Sequence, residues 1–146
     1  MTGLIVKTPI ESIVPVLGFA AFSGTGKTTL LKSLLPLLKR EGLRIGVVKH
    51  SHHRFEIDKP GKDSYELRKA GAAEMLIASG SGWALMADTE ERGDPSLNAM
   101  LARMDQSALD LVLVEGFRHE HFPKIELHRA ALGKPLLFPD DPWIIA

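Results

Sequence analysis

The segment AFSGTGKT at residues 21–28 constrains the fold of this 146-residue chain more than any other stretch. It fits the pattern of Gly or Ala, four residues, then Gly-Lys-Ser/Thr, in which glycines let backbone N–H groups converge on phosphate oxygens. An apolar run precedes it and an amphipathic run follows it, which is the strand–loop–helix context that this motif requires. We therefore predict a P-loop, or Walker A motif, that binds a nucleoside triphosphate. The alternative is an ordinary Gly-rich turn between a strand and a helix.

The residues of this loop have distinct predicted roles. Lys27 supplies a point charge for the β and γ phosphates, and the Thr28 hydroxyl is a ligand for Mg²⁺. The helix that opens at Lys27 adds free N–H donors and the positive end of its dipole. The predicted nucleotide-binding residues are Ser23, Gly24, Thr25, Gly26, Lys27, Thr28 and Thr29, and we expect Lys27 to act in catalysis as well.

Apolar runs alternate with helical patterns along the rest of the chain. Buried strands are predicted at 14–21, 43–49 and 111–114, a half-solvated strand at 123–128 with Lys124 facing outward, and a further strand from 143. Helices are predicted at 27–41, where Pro36 should kink or end the helix, from Asp63 to Gly71, and from Asp94-Pro95 to about Met104, with Asp63 and Asp94 as N-caps.

Two short strands at 75–79 and 83–87 flank the turn Gly80-Ser81-Gly82 and predict a hairpin. Together these elements predict an α/β, P-loop NTPase-like three-layer fold with a mainly parallel sheet and a peripheral β-hairpin. The length fits one domain, so residues 1–146 are interpreted as a single nucleotide-binding domain.

An acidic residue at the carboxyl end of a neighbouring parallel strand should complete the site, because such ends meet at the phosphate side of the sheet. Glu115 fits, either binding Mg²⁺ or polarising an attacking water. Asp110 lies at the other end of that strand, roughly 16 Å away. Asp63 and Asp58 are further candidates for the metal, although Asp63 is also a good N-cap. A Glu that caps the turn before Gly116 is the alternative for Glu115.

His50, His52 and His53 form a second concentration of polar chemistry after the second strand. No cysteine and no established zinc spacing supports a metal site here, so substrate contact and a structural role are favoured over metal binding, and all three stay open. The net charge of zero gives no reason to expect a nucleic-acid partner, and no apolar run approaches the roughly 20 residues of a membrane helix. Without a signal-peptide pattern, we expect a cytoplasmic protein.

Four strings carry a more specific signal: FSGTGKTTLL, VVKHSHH, DKPGKDSYELRKAGA and LVLVEGF, in this order. With them the chain resembles the MobB family of molybdopterin-guanine dinucleotide biosynthesis adapter proteins over residues 16–146. The resemblance implies a homodimer that binds GTP with Mg²⁺ and hydrolyses it weakly. It also implies a partner guanylyltransferase, MobA, which attaches GMP to molybdopterin.

The chain departs from this family in two respects. Family members continue beyond the strand at 143–146, so we expect the C-terminal portion of the family domain to be lacking. An NKxD-type guanine-reading motif is also absent from the sequence, so a preference for guanine rests on the resemblance alone. Because the final strand stops before a following loop that could read the base, we expect GTP and ATP to bind within about tenfold of each other. A P-loop small-molecule kinase and a non-catalytic nucleotide-dependent interaction module are the rival interpretations.

Overall fold

The computed structural model describes residues 9–52, 55–89 and 93–146. Its residues group into two compact units, which are described separately. The first unit comprises Met1–His50 with Pro95–Ala146, and the second comprises Ser51–Asp94. The interpretation of residues 1–146 as one domain stays a prediction.

The first unit contains a four-stranded, fully parallel sheet. Its strands are β1 (Val16–Ala20), β2 (Ile45–Lys49), β5 (Leu111–Glu115) and β6 (Lys124–Glu126), and its helices are α1 (Lys27–Arg40) and α3 (Leu97–Leu101). The strand order is β2-β5-β1-β6, so the strand that leads into the P-loop has a parallel neighbour on each side. The predicted α/β fold with a mainly parallel sheet is confirmed.

Strand β5 shows why the sheet is covered on both faces. Val112 and Val114 point into one core, with Leu97 and Leu101 of α3, whereas Leu113 points into the other, with Leu31 of α1. Successive side chains of a strand point to opposite faces of the sheet. An uninterrupted apolar run therefore places apolar side chains on both faces, and both are buried. The layers are helix, sheet and helix, with the P-loop at the carboxyl edge of the sheet.

Helix α1 matches its predicted limits to within one residue, whereas α3 differs from its predicted limits. Pro36 does not end α1, which continues to Arg40, because the exposed proline lacks only its own N–H donor and lies on the solvated side. The N-cap of α3 is Ser96 and not Asp94, since the Ser96 hydroxyl accepts the Ala99 N–H at 3.1 Å. The helix is also shorter than expected and ends at Leu101.

The prediction that Lys124 faces solvent is wrong, because its side chain is only 1% exposed. Its ammonium donates to the Glu120 carbonyl at 2.6 Å and to the Asp141 carboxylate at 3.2 Å, and lies over the Phe122 ring. These partners compensate the loss of hydration that burial of a charge requires. In place of the predicted strand from residue 143, the structure has an isolated parallel bridge between Ile144 and Lys124, with hydrogen bonds that link residues 143–146 to Lys124 and Glu126 of β6.

The second unit contains one helix and one hairpin. The helix is α2 (Asp63–Lys69), and the strands are β3 (Glu74–Ser79) and β4 (Gly82–Ala87). The antiparallel hairpin confirms the prediction. Asp63 is the first helical residue and Lys62 is the N-cap. Asp63 therefore does not cap the helix, but its negative charge interacts favourably with the positive end of the helix dipole. None of the described helices has the length and apolarity to span a membrane.

Candidate functional site

The P-loop connects the end of β1 to the start of α1, as the sequence predicts. Gly24 and Gly26 have φ values of 79° and 109°, which lie in the left-handed region that glycine adopts without a steric cost. Gly26 is the N-cap of α1, and its carbonyl accepts the Leu30 N–H at 2.9 Å. The helix therefore starts with its unpaired N–H groups directed at the loop, an arrangement that favours an anion.

Thr25 and Lys27 stabilise this loop from within. Thr25 is buried, and its hydroxyl donates to the Phe22 carbonyl at 2.5 Å. The Lys27 ammonium donates to the Ala21 carbonyl at 2.9 Å, so it closes the loop across its opening. A charged group held by one neutral carbonyl has donors left for phosphate oxygens. The predicted binding residues Ser23, Gly24, Thr28 and Thr29 are exposed.

Glu115 ends β5 at the same level as the last residues of β1. It pairs in register with Phe19 of β1 and with Lys49 of β2, so its Cα lies one strand spacing, about 4.8 Å, from each. Phe19 precedes the P-loop motif by two residues, so the half-buried Glu115 lies beside the start of the P-loop. By contrast, Asp110 lies before β5 and pairs with Arg44, whose hydrogen bond keeps the pKa of that carboxyl below its ordinary value.

The turn after Glu115 has an unusual backbone that fixes its course. Gly116 has φ 90° and Phe117 has φ 51°, which is the only positive φ of a non-glycine residue in the described chain. An added Cβ on Gly116 would approach the His50 Cβ to 2.7 Å, so this position requires glycine on both steric and torsional grounds. Phe117 is held by burial and by the His50 ring, whose centroid lies 5.0 Å from its own.

Three cations next to the P-loop were not predicted from the sequence. The Arg118 guanidinium and the Lys134 ammonium each lie 5.9 Å from the centre of the Phe22 ring. The guanidinium of Arg129 lies 3.6 Å from the place that a Cβ on Gly26 would occupy. Arg118 follows β5, and Arg129 and Lys134 follow β6. Arg118 and Arg129 each lie three residues after the end of a strand parallel to β1, and this position is the signal that could have identified them.

The donor chemistry of this site fits a nucleotide and Mg²⁺. The Thr28 hydroxyl and the Glu115 carboxylate provide oxygen ligands, which Mg²⁺ prefers, while P-loop N–H groups and cations provide the complement for phosphate. Asp58, Asp63 and His52 belong to the second unit, and their participation stays a prediction. His53 lies outside the described residues. His50 packs on Phe117, a structural contact that leaves substrate contact untested.

Comparison with known proteins identifies the family. The family model "Molybdopterin guanine dinucleotide synthesis protein B" (MobB) matches residues 16–146. The molybdopterin-guanine dinucleotide biosynthesis adapter protein of Escherichia coli is 55% identical over 84% of this chain and 70% of its own length. The Haemophilus influenzae adapter protein is 45% identical over 84% of this chain and 68% of its own length.

Solved structures give the same result. The crystal structure of Bacillus subtilis MobB superposes with a TM-score of 0.65 at 26% identity, over 82% of this chain and 72% of that one. The family has a nucleotide-binding P-loop fold and an adapter role in molybdopterin-guanine dinucleotide biosynthesis. The P-loop, the parallel sheet and these similarities together show that the chain belongs to the MobB family.

Proposed function

We propose that this protein is a cytoplasmic GTP-binding adapter that hydrolyses GTP slowly with Mg²⁺. In this role it assists a guanylyltransferase, MobA, in attaching GMP to molybdopterin. The observation that carries the proposal is the P-loop at the end of β1, with Glu115 in register on the adjacent strand. Family membership supports the pathway, and the donor set of the site supports the nucleotide and the ion.

Each part of the site has a role in this mechanism. The P-loop N–H groups bind the phosphates, and Lys27 exchanges the Ala21 carbonyl for β and γ phosphate oxygens. Thr28 and Glu115 would hold Mg²⁺, which would neutralise negative charge on the phosphates. Glu115 also orients the attacking water. No described residue has an evident role in reading the base, so the contacts common to all nucleoside triphosphates dominate binding.

The test separates binding from hydrolysis through two substitutions. Lys27→Ala should sharply weaken GTP binding in calorimetry with Mg²⁺, because the loop loses its point charge. Glu115→Gln should slow hydrolysis by about 10²–10³-fold with a much smaller change in affinity, because it removes charge and keeps shape. Unchanged GTP affinity in Lys27→Ala would remove the P-loop from the binding site. In the same assay, competition by ATP should come within about tenfold of GTP.

Assays with the partner enzyme distinguish the proposed function from its rivals. Hydrolysis is measured with and without a guanylyltransferase and molybdopterin, together with the yield of the guanylylated product. An adapter raises that yield when GTP is bound. A small-molecule kinase would instead transfer the γ phosphate to an acceptor, and a purely structural nucleotide would be neither hydrolysed nor required for the partner's reaction.

We also propose that the protein is a homodimer, and an exposed apolar face of the hairpin supports this. Leu76 pairs with Leu85 and Ala78 with Trp83 on one face of β3 and β4. Leu76 is 58% and Trp83 is 68% exposed, so the face is apolar and solvated within its unit. Such a patch is typical of an interface. Sedimentation analysis tests this, and a dimer unaffected by Leu76→Glu would place the interface elsewhere.

A further inference from the structure

Arg118 lies beside the P-loop, although it belongs to the loop that follows β5. Its guanidinium is 5.9 Å from the ring of Phe22, the second residue of the Walker A segment. The side chain is exposed, so it can turn from the ring toward a ligand in the loop. An arginine in this place is within side-chain reach of whatever occupies the P-loop.

The backbone before Arg118 is fixed, so this proximity is not the chance position of a mobile loop. Phe117, directly before it, is 6% exposed and belongs to the core that contains Leu97 and Val114. The Phe117 carbonyl accepts the Glu120 N–H at 2.9 Å, and the Glu120 carboxylate accepts the Leu97 N–H at 3.2 Å. Arg118 therefore emerges from a turn that is anchored on both sides.

In the described part of the chain, the charge of Arg118 is not compensated by a carboxylate. Within residues 9–52, 55–89 and 93–146, no carboxylate lies within ion-pair distance of Arg118, Arg129 or Lys134. Three such cations at the mouth of a loop rich in N–H donors make the local potential positive. A polyphosphate is the ligand that neutralises this charge, and guanidinium bonds to phosphate are among the stronger charge-assisted contacts.

The position of Arg118 relative to Glu115 indicates which phosphate it contacts. Glu115, which would hold Mg²⁺ beside the terminal phosphates, lies three positions before Arg118. We propose that Arg118 contacts the terminal phosphate and stabilises its charge during hydrolysis. This inference rests on the proposed nucleotide-binding function and adds a residue outside the Walker A motif.

In the step concerned, the water oxygen bonds to the γ phosphorus while the bond from that phosphorus to the β–γ bridging oxygen breaks. The products are GDP and inorganic phosphate, and one proton passes to solvent. Arg118 donates to the equatorial oxygens of the transferring group, where charge is spread in the transition state. The protein thus supplies this cation within its own chain.

The experiment compares GTP and GDP on the same variants. Arg118→Ala should weaken Mg²⁺–GTP binding about tenfold and leave GDP binding nearly unchanged, because only GTP has a γ phosphate. Single-turnover hydrolysis should slow by about 10²-fold. Arg118→Lys should restore part of the affinity and less of the rate, since it keeps the charge and loses the planar fork. Circular dichroism with an unchanged thermal midpoint verifies the fold.

Two controls separate specific contact from general charge. Lys134→Ala removes a cation at the same distance from Phe22 and should lower GTP and GDP affinity equally. Arg40→Ala, at the far end of α1, should change neither. Equal effects of Arg118→Ala on GTP and GDP, or effects no larger than those of Lys134→Ala, would overturn the inference. If Lys27→Ala also left binding unchanged, the proposed function itself would fail.

Discussion

The two units differ in how many apolar side chains they bury. Among the described residues, the first unit buries apolar side chains completely, with Leu97, Leu101 and Val114 at 0% exposure. The second unit buries Met86 and the charged Arg68, and no further side chain of its described part reaches that degree of burial. A parallel sheet with helices on both faces creates a dry interior, whereas a two-stranded hairpin with one short helix does not.

This difference in burial indicates that the first unit is the more rigid of the two and the second unit the more adaptable. The phosphate site is built from loops that start on strands of the well-packed unit, so its geometry is set by the sheet register. The second unit is organised by ions, since the Arg68 guanidinium lies 2.9 Å from the Asp88 carboxylate and 3.2 Å from that of Glu56. Its hairpin has an exposed apolar face.

The largest effect is expected for Leu101→Ala in the first unit. This residue is fully buried between α3 and the sheet, so truncation leaves a cavity and should lower the free energy of unfolding by about 3 kcal/mol. Urea unfolding followed by Trp143 fluorescence in a Trp83→Phe background reports on the first unit alone. The control is Leu37→Ala, whose leucine is 49% exposed. Equal losses in the two variants would contradict the assignment of the core.

The sequence identified those parts of the molecule that depend on local pattern. The Walker A segment, the strand that ends at Glu115 and the hairpin were predicted because glycine spacing and apolar runs are local signals. Lys124 was wrongly placed in solvent because strand alternation does not reveal that Asp141, far along the chain, neutralises it. The N-cap was assigned to Asp94 because Asp-Pro matches the general preference, whereas the hydroxyl of Ser96 has the required position.

Arg118 and Arg129 were missed for a similar reason. Each is an isolated arginine in a loop, and proximity to Phe22 or Gly26 arises only when β5 and β6 flank β1 in the sheet. Strand order is a tertiary property that periodicity does not contain. A rule that inspects the first few residues after every parallel strand would have found both.

A smaller effect is expected for Arg68→Ala in the second unit. The substitution leaves the Glu56 and Asp88 carboxylates without their shared cation, and both are exposed enough to become hydrated instead. Amide hydrogen exchange in β3 and β4 should accelerate about tenfold, while exchange in β1 and β5 stays unchanged. Lys69→Ala is the control, because this lysine is half-exposed and lies 3.6 Å from Glu56. Unchanged exchange in the hairpin would show that the ions do not organise the unit.

The smallest effect concerns Asp141, the partner of the buried cation in the first unit. Burial raises the pKa of this carboxyl, but hydrogen bonds from the Trp143 N–H and the Lys124 ammonium and the charges of Lys124 and His121 outweigh it, so the pKa lies below its ordinary value. A carboxyl with a lowered folded-state pKa binds fewer protons in the folded than in the unfolded chain. Its stabilisation is therefore complete above the unfolded pKa of about 3.9 and is lost as the pH falls through the folded value.

Asp141→Asn tests this at both ends of the range. At about pH 7 the variant should be less stable by roughly 1 kcal/mol, because Lys124 keeps the Glu120 carbonyl but loses its anionic partner. As the pH falls from about 3.9 through the lower folded-state value, Asp141 of the wild type becomes protonated first in the unfolded and then in the folded chain, so the difference between the two proteins should shrink. Urea unfolding at about pH 7 and at a pH below about 3.9 measures this difference in stability. Asp140→Asn is the neighbouring control. If the difference in stability between the two proteins stayed constant with pH, the shape of the Asp141 side chain and not its charge would hold Lys124 in place. The two buried cations would then differ, because Arg68 would depend on ion pairs and Lys124 would not.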